Sequence, residues 1–151
     1  MMTELKRILL AEDSANDVEL TLAALAENHL ANEVVVVRDG AQALDYLYRR
    51  GDFANRHNGN PAVVLLDLKM PKVDGLEVLR QIKQDAQLKT IPVVMLTSSR
   101  EEQDLVRSYE YGVNAYVVKP VDFGEFMDAV KRLGGFWAVV NEVPPASSSA
   151  H

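Results

Sequence analysis

The stretch Ala62-Val63-Val64-Leu65-Leu66-Asp67-Leu68-Lys69-Met70-Pro71 decides the fold. Its first five residues are a Val- and Leu-rich apolar run of strand length, stopped by a carboxylate and then by a turn-forming Pro. A strand with one wet face would alternate apolar and polar residues. A run apolar on both faces belongs in a parallel sheet covered by helices on either side. Four more runs share this character: Ile8-Leu9-Leu10-Ala11, Val34-Val35-Val36-Val37, Pro92-Val93-Val94-Met95-Leu96 and Ala115-Tyr116-Val117-Val118.

Amphipathic stretches separate the runs. Val18, Leu22, Leu25 and His29 form one stripe, opened by Ser14 and Asp17 in a spacing similar to a capping box. Ala43, Leu44, Leu47 and Tyr48 follow the second run; Leu76, Val78, Leu79 and Ile82 follow the third. Leu105, Val106 and Tyr109 follow the fourth, with Ser98 or Ser99 as the expected cap. Phe123, Phe126, Met127, Val130 and Leu133 follow the fifth and read as core. A βα unit repeated five times, with right-handed crossovers, makes an α/β fold: a five-stranded parallel sheet with helices on both faces. The long connection 51–61, rich in Asn, Gly and Asp, is expected on the surface. The domain is expected to span 5–141, and 142–151 to be a disordered tail.

Composition narrows the function. The chain has 151 residues, with 16 Lys and Arg against 22 Asp and Glu, a formal net charge of −6. That balance argues against nucleic acid or an anionic membrane as the main partner. There is no Cys, so disulfides, thiolate-bound zinc and thiol nucleophiles are excluded. The 3 His are far apart in sequence, which disfavours a His-rich metal site. No apolar run reaches the roughly 18 residues of a membrane helix, and the N-terminus lacks a secretory pattern. A soluble, cytoplasmic single domain with no room for an output module is expected.

In an open parallel sheet, sites form at the carboxyl ends of the strands. Glu12-Asp13-Ser14 follow the first run, Asp67 the third, Thr97-Ser98-Ser99 the fourth and Lys119-Pro120 the fifth. Three carboxylates, a hydroxyl and an ammonium therefore converge on one rim. Two unit charges about 4 Å apart repel by roughly 4 kcal/mol at an effective dielectric near 20. Protonation, Lys119 or a bound cation must compensate. Hard oxygen ligands with few dedicated groups suit Mg²⁺, which keeps several waters and is completed by phosphate oxygens. A carboxylate beside Mg²⁺ and a Lys can attack phosphorus and form an aspartyl phosphate.

This set, Glu12-Asp13, Asp67 in LLDLKMPKVDG, Thr97 and Lys119-Pro120, resembles the receiver domain of two-component response regulators over residues 5 to 133. The resemblance implies a flavodoxin-like (βα)5 fold and a signalling protein rather than an enzyme acting on other substrates. It implies that Asp67 accepts a phosphoryl group from a histidine kinase. Glu12, Asp13, Asp67 and the backbone carbonyl of Lys69 would hold Mg²⁺. Lys119 would pair with a phosphoryl oxygen, Thr97 would hydrogen-bond the phosphoryl group, and Tyr116 would be the aromatic switch. The Lys119-Pro120 bond is a candidate for the cis form. Within the family, the 51–61 loop and Gly135-Phe136-Trp137 look like the phytochrome-associated, stand-alone regulators. These tend to dimerise through the face containing the last helix, which makes Phe136 and Trp137 candidate interface residues and a phytochrome-like kinase a candidate partner.

The sequence departs from the family's commoner pattern in places. Glu12 stands where Asp is commoner, and Lys69 and Ser99 occupy positions that tune phosphoryl lifetime. Simpler readings also exist: Glu12-Asp13 as acids at a helix start, Asp67 as a turn carboxylate, Tyr116 as core. Two rival functions are weaker. An Asp-nucleophile phosphatase of the haloacid-dehalogenase type would carry an acid where Lys69 stands. A flavin mononucleotide carrier would have its phosphate repelled by Glu12-Asp13. A non-phosphorylated protein-binding adaptor is the remaining alternative.

Overall fold

The computed structural model describes residues 7–27, 33–57, 59–98, 101–119 and 124. Five strands form one parallel sheet: β1 (Arg7–Ala11), β2 (Glu33–Val37), β3 (Val63–Leu66), β4 (Val93–Thr97) and β5 (Ala115–Val118), in the order β2-β1-β3-β4-β5. Helices α1 (Ala15–Glu27), α2 (Gly40–Tyr48), α3 (Gly75–Gln84) and α4 (Glu102–Glu110) fill the crossovers. Each apolar run quoted above is a strand. None of the described helices is long and apolar enough to cross a membrane.

Alternation along the strands explains why they are apolar throughout. Leu9 and Ala11 of β1, Val64 and Leu66 of β3, and Met95 of β4 face one cluster, with Leu44 and Leu47 of α2 and Val78, Leu79 and Ile82 of α3. Ile8, Leu10, Val63, Leu65, Val94, Leu96, Ala115 and Val117 face the other, where α1 contributes Val18 and Leu25. Both faces of the sheet are core. Fully burying one Leu, Ile or Val contributes about 1.5–3 kcal/mol, so loss of either helical layer would be fatal to the sheet.

Helix starts follow local polar chemistry. Ser14 Oγ accepts the Asp17 N–H at 3.2 Å, Asp39 Oδ1 accepts the Gln42 N–H at 2.8 Å, and Asp74 Oδ1 accepts the Glu77 N–H at 3.0 Å. Helix α4 differs from its expected start. Its N-cap is Glu101, whose side chain makes no cap bond, so Ser98 stands three residues ahead of the cap position; Ser99 lies outside the described residues. The expected apolar stripe of α4 is also turned outward. Leu105, Val106 and Tyr109 are 38%, 47% and 51% exposed, while Asp104 and Ser108 are buried. Ser108 can face inward because its hydroxyl donates to the Asp104 carbonyl at 2.9 Å, leaving it satisfied.

The 51–61 connection carries a 3-10 turn at Gly51–Phe53. Phe53 meets the Tyr46 ring edge-on at 5.1 Å, and the Arg56 guanidinium lies 4.1 Å over that same ring. The fifth stripe from Phe123 to Leu133, the Lys119-Pro120 bond, Phe136, Trp137 and the 142–151 tail fall outside the described residues.

Strands β1 and β3 are neighbours, while the chain leaves β1 toward one edge and β3 toward the other. Such a reversal opens a crevice beyond their carboxyl ends.

Candidate functional site

The residues at that crevice stand just past their strands but remain tied to the sheet. The Glu12 N–H donates to the Val37 carbonyl at 3.0 Å, the Asp67 N–H to Ala11 at 3.0 Å, and the Lys119 N–H to Thr97 at 2.8 Å. With the backbones held, the side chains project over the rim. Glu12 and Asp67 are buried and Asp13 is exposed. Carboxylate oxygens of Glu12, Asp13 and Asp67 lie within 4.8 Å of one another.

Lys119 is the counter-ion. Its Nζ lies 2.6 Å from Glu12 Oε1, 2.8 Å from Asp17 Oδ2 and 3.4 Å from Asp67 Oδ2. An ammonium has three N–H donors, so these carboxylates saturate it. Burial disfavours its charge, but the hydrogen bonds to Asp17 and Glu12 and the charges of Asp67 and Glu12 outweigh burial and raise its pKa above the usual value of 10.5. Burial pushes Glu12 the other way, toward the neutral acid, up to about 7. The Lys119 hydrogen bond opposes that rise, and the hydrogen bond and charge of Asp67 add to it. One ammonium does not neutralise the whole cluster. Oxygen donors without nitrogen or sulfur, one of them on the open side, fit a hard divalent cation such as Mg²⁺ or Mn²⁺.

The loop after β3 is shaped by close approaches. A Cβ on Gly75 would lie 2.2 Å from the Asp67 carbonyl oxygen and 2.8 Å from Leu68 Cα, so only Gly fits there. The Gly75 N–H donates to the Leu68 carbonyl at 2.7 Å and closes the loop. Lys72 adopts the left-handed region at φ 69°, and its ammonium lies 3.6 Å from Asp39 Oδ2. The Lys69 ammonium lies 3.8 Å from Asp104 Oδ2 on α4.

Thr97 ends β4 fully buried, and Tyr116 of β5 is half-buried against the same cluster as Met95. Registers Met95↔Tyr116 and Thr97↔Val118 put Thr97 and Tyr116 on one face of the sheet, one diagonal step apart.

The structure thus brings Glu12, Asp13, Asp67, Thr97 and Lys119 to one edge, with Tyr116 further along β5. Asp17 was not singled out as a site residue. Its place three after Ser14 reads as helix capping, and Ser14 does cap it. The Asp17 carboxylate instead pairs with a lysine 102 residues away. The available signal was one more acid, a helical turn beyond Asp13.

Residues 8–131 match the response regulator receiver domain family. Response regulator Rcp1 of Synechocystis sp. is 40% identical over 141 residues, covering 93% of this chain and 95% of that protein. The solved structure of Rcp1 in its Mn²⁺-bound form aligns with a TM-score of 0.74 over 92% of this chain and 99% of the other. The bacteriophytochrome response regulator RtBRR is 67% identical, with a TM-score of 0.83 over 95% of this chain and 87% of that one. The phosphorylated cyanobacterial phytochrome response regulator RcpA is 40% identical, with a TM-score of 0.74 over 98% of both chains.

Proposed function

This chain belongs to the response regulator receiver domain family, and on that premise we propose that Asp67 accepts a phosphoryl group from a histidine kinase. An Asp67 carboxylate oxygen attacks phosphorus, the bond from phosphorus to the kinase imidazole nitrogen breaks, and that nitrogen keeps the electron pair. The product is an aspartyl phosphate. The observation that carries this reading is the convergence of Glu12, Asp13 and Asp67 within 4.8 Å beside the Lys119 ammonium.

Mg²⁺ held by Glu12, Asp13, Asp67 and the Lys69 backbone carbonyl would neutralise charge on the phosphoryl oxygens as it arrives. Lys119 pairs with one phosphoryl oxygen, and the Thr97 hydroxyl donates to another. Tyr116 then turns inward on the face that it shares with Thr97, and α4 shifts with it. That Rcp1 has been solved in a Mn²⁺-bound form and RcpA in a phosphorylated form supports a divalent cation and phosphorylation for this chain as well. The chain acts on no substrate beyond its own phosphoryl group, and its setting is the cytoplasm.

The named relatives favour a phytochrome-type kinase as donor. The signal leaves by protein contact. Leu105, Val106 and Tyr109, exposed on α4, support self-association through the fourth and fifth helical segments, with Phe136 and Trp137 near the contact. Sedimentation that shows a monomer at high concentration, with and without a phosphoryl analogue, removes the dimer.

The test of the main reading is labelling with acetyl phosphate and Mg²⁺. One acid-labile phosphoryl group is expected, lost in Asp67→Asn. Labelling that persists in that variant overturns the assignment.

A further inference from the structure

The three carboxylates around Lys119 are unequal in distance and in duty. The nearest are Glu12 at 2.6 Å and Asp17 at 2.8 Å; Asp67, whose phosphoryl group Lys119 is to serve, is the farthest at 3.4 Å. Glu12 and Asp67 also belong to the set of oxygens that suits a divalent cation, whereas Asp17 does not. Asp17 sits in the first turn of α1 with its backbone N–H on Ser14 Oγ, so its place is set without help from its carboxylate. A cation drawn onto Glu12 and Asp67 withdraws their charge from the ammonium. Asp17 is then the carboxylate left to hold it.

We propose that Asp17 is a positioning residue that anchors the Lys119 ammonium on the α1 side of the site and competes for it with the phosphoryl group on Asp67. Asp17 thereby sets how firmly the phosphorylated state is held. The proposal deepens the reading of Asp67 as phosphoacceptor and rests on it. Three N–H groups already meet three carboxylates, so Lys119 engages new phosphoryl oxygens only by loosening an existing bond. The bond to Asp17 is short and charge-assisted, which makes it the main competitor once Glu12 serves a cation. Asp17 is 32% exposed, which puts its hold at the low end for such a bond, about tenfold in affinity.

Mg²⁺-dependent binding of beryllium fluoride, a non-covalent mimic of a phosphoryl group on a carboxylate, reads this competition directly. Asp17→Asn removes the charge and keeps the side-chain shape. It is expected to bind beryllium fluoride about tenfold more tightly than the unmodified protein. Asp17→Glu, which retains the charge, is expected to stay close to the unmodified protein. In a Lys119→Ala background the Asp17→Asn change is expected to have no effect, because the competition runs through the ammonium. Asp17→Ser serves the same comparison if Asp17→Asn fails to fold.

Unchanged or weaker binding in Asp17→Asn overturns the proposal. So does an equal gain with and without Lys119, which would mean simple charge repulsion. A loss of thermal stability without altered coupling would mark Asp17 as structural only and equally defeat the idea. Asp67→Asn is the separate arm: beryllium fluoride binding that survives it means the phosphoacceptor reading itself has failed.

Discussion

The two ends of the sheet handle charge in opposite ways. At the amino end, Arg7 and Arg56 both donate to the Gly59 carbonyl. Arg56 also donates to the Tyr46 carbonyl at 2.9 Å and lies over the Tyr46 ring. These cations meet backbone oxygens and an aromatic face, and most of the partners lie within ten residues in sequence. At the carboxyl end, Glu12, Asp17 and Asp67 crowd one ammonium, and Asp13 stands beside Glu12 and Asp67. The first arrangement sets its charges on uncharged partners. The second stores repulsion that a cation or a proton relieves, so it is the end that responds to its surroundings.

Tyr46→Ala attacks the amino end where it is best packed. Loss of the buried ring, with Phe53 and Arg56 left without their platform, is expected to cost about 3–4 kcal/mol in denaturant unfolding. The Mg²⁺ affinity of the folded variant should change less than about twofold. A large change in affinity would show that the two ends are not independent.

Lys119→Ala attacks the other end. At pH 8 it leaves buried carboxylates uncompensated, at an expected cost of about 2–3 kcal/mol. The same unfolding experiment should show part of that cost recovered by Mg²⁺ and part by lowering the pH. A loss that neither cation nor acid reduces would mean that packing, not charge, is what Lys119 supplies.

A third measurement sharpens the contrast through pH. Glu12 is raised from its usual 4.5 to about 7 by burial, so the metal-free fold holds a proton there that the unfolded chain has lost. The corresponding stability is fully present below pH 4.5 and is lost as pH rises through 7. A cation binds the carboxylate form, so apparent Mg²⁺ affinity should fall by up to about tenfold per pH unit below 7, about 1.4 kcal/mol. Calorimetry in buffers of different ionisation enthalpy would register the released proton. Affinity independent of pH between 5 and 7 would remove Glu12 from the cation set.

The smallest effect is expected from Ser14→Ala. Loss of this cap should cost about 1 kcal/mol of stability, measured by thermal unfolding. It should also free the first turn of α1 and lengthen the Asp17 contact to Lys119. If stability is unchanged, Asp17 is held by something other than its cap.

The strands, and the residues at their carboxyl ends, could be read directly. An apolar run such as Val63–Leu66 signals a doubly covered strand by itself, and Asp67 follows it by one position. The placement of Gly75 could not be read this way, because it answers to a backbone 2.2 Å away, not to a local pattern. In α4, periodicity located a stripe at Leu105, Val106 and Tyr109 but could not say which side the sheet would cover. The buried side is Asp104 and Ser108.

The sequence by itself determined the five strands, the four helices described between them and the polar groups assigned to one rim, because apolar period and strand ends are local properties. Tertiary structure alone decided which carboxylates take the Lys119 ammonium and which side of α4 turns inward. Those outcomes depend on distances between groups up to about a hundred residues apart, which exist only once the sheet has assembled.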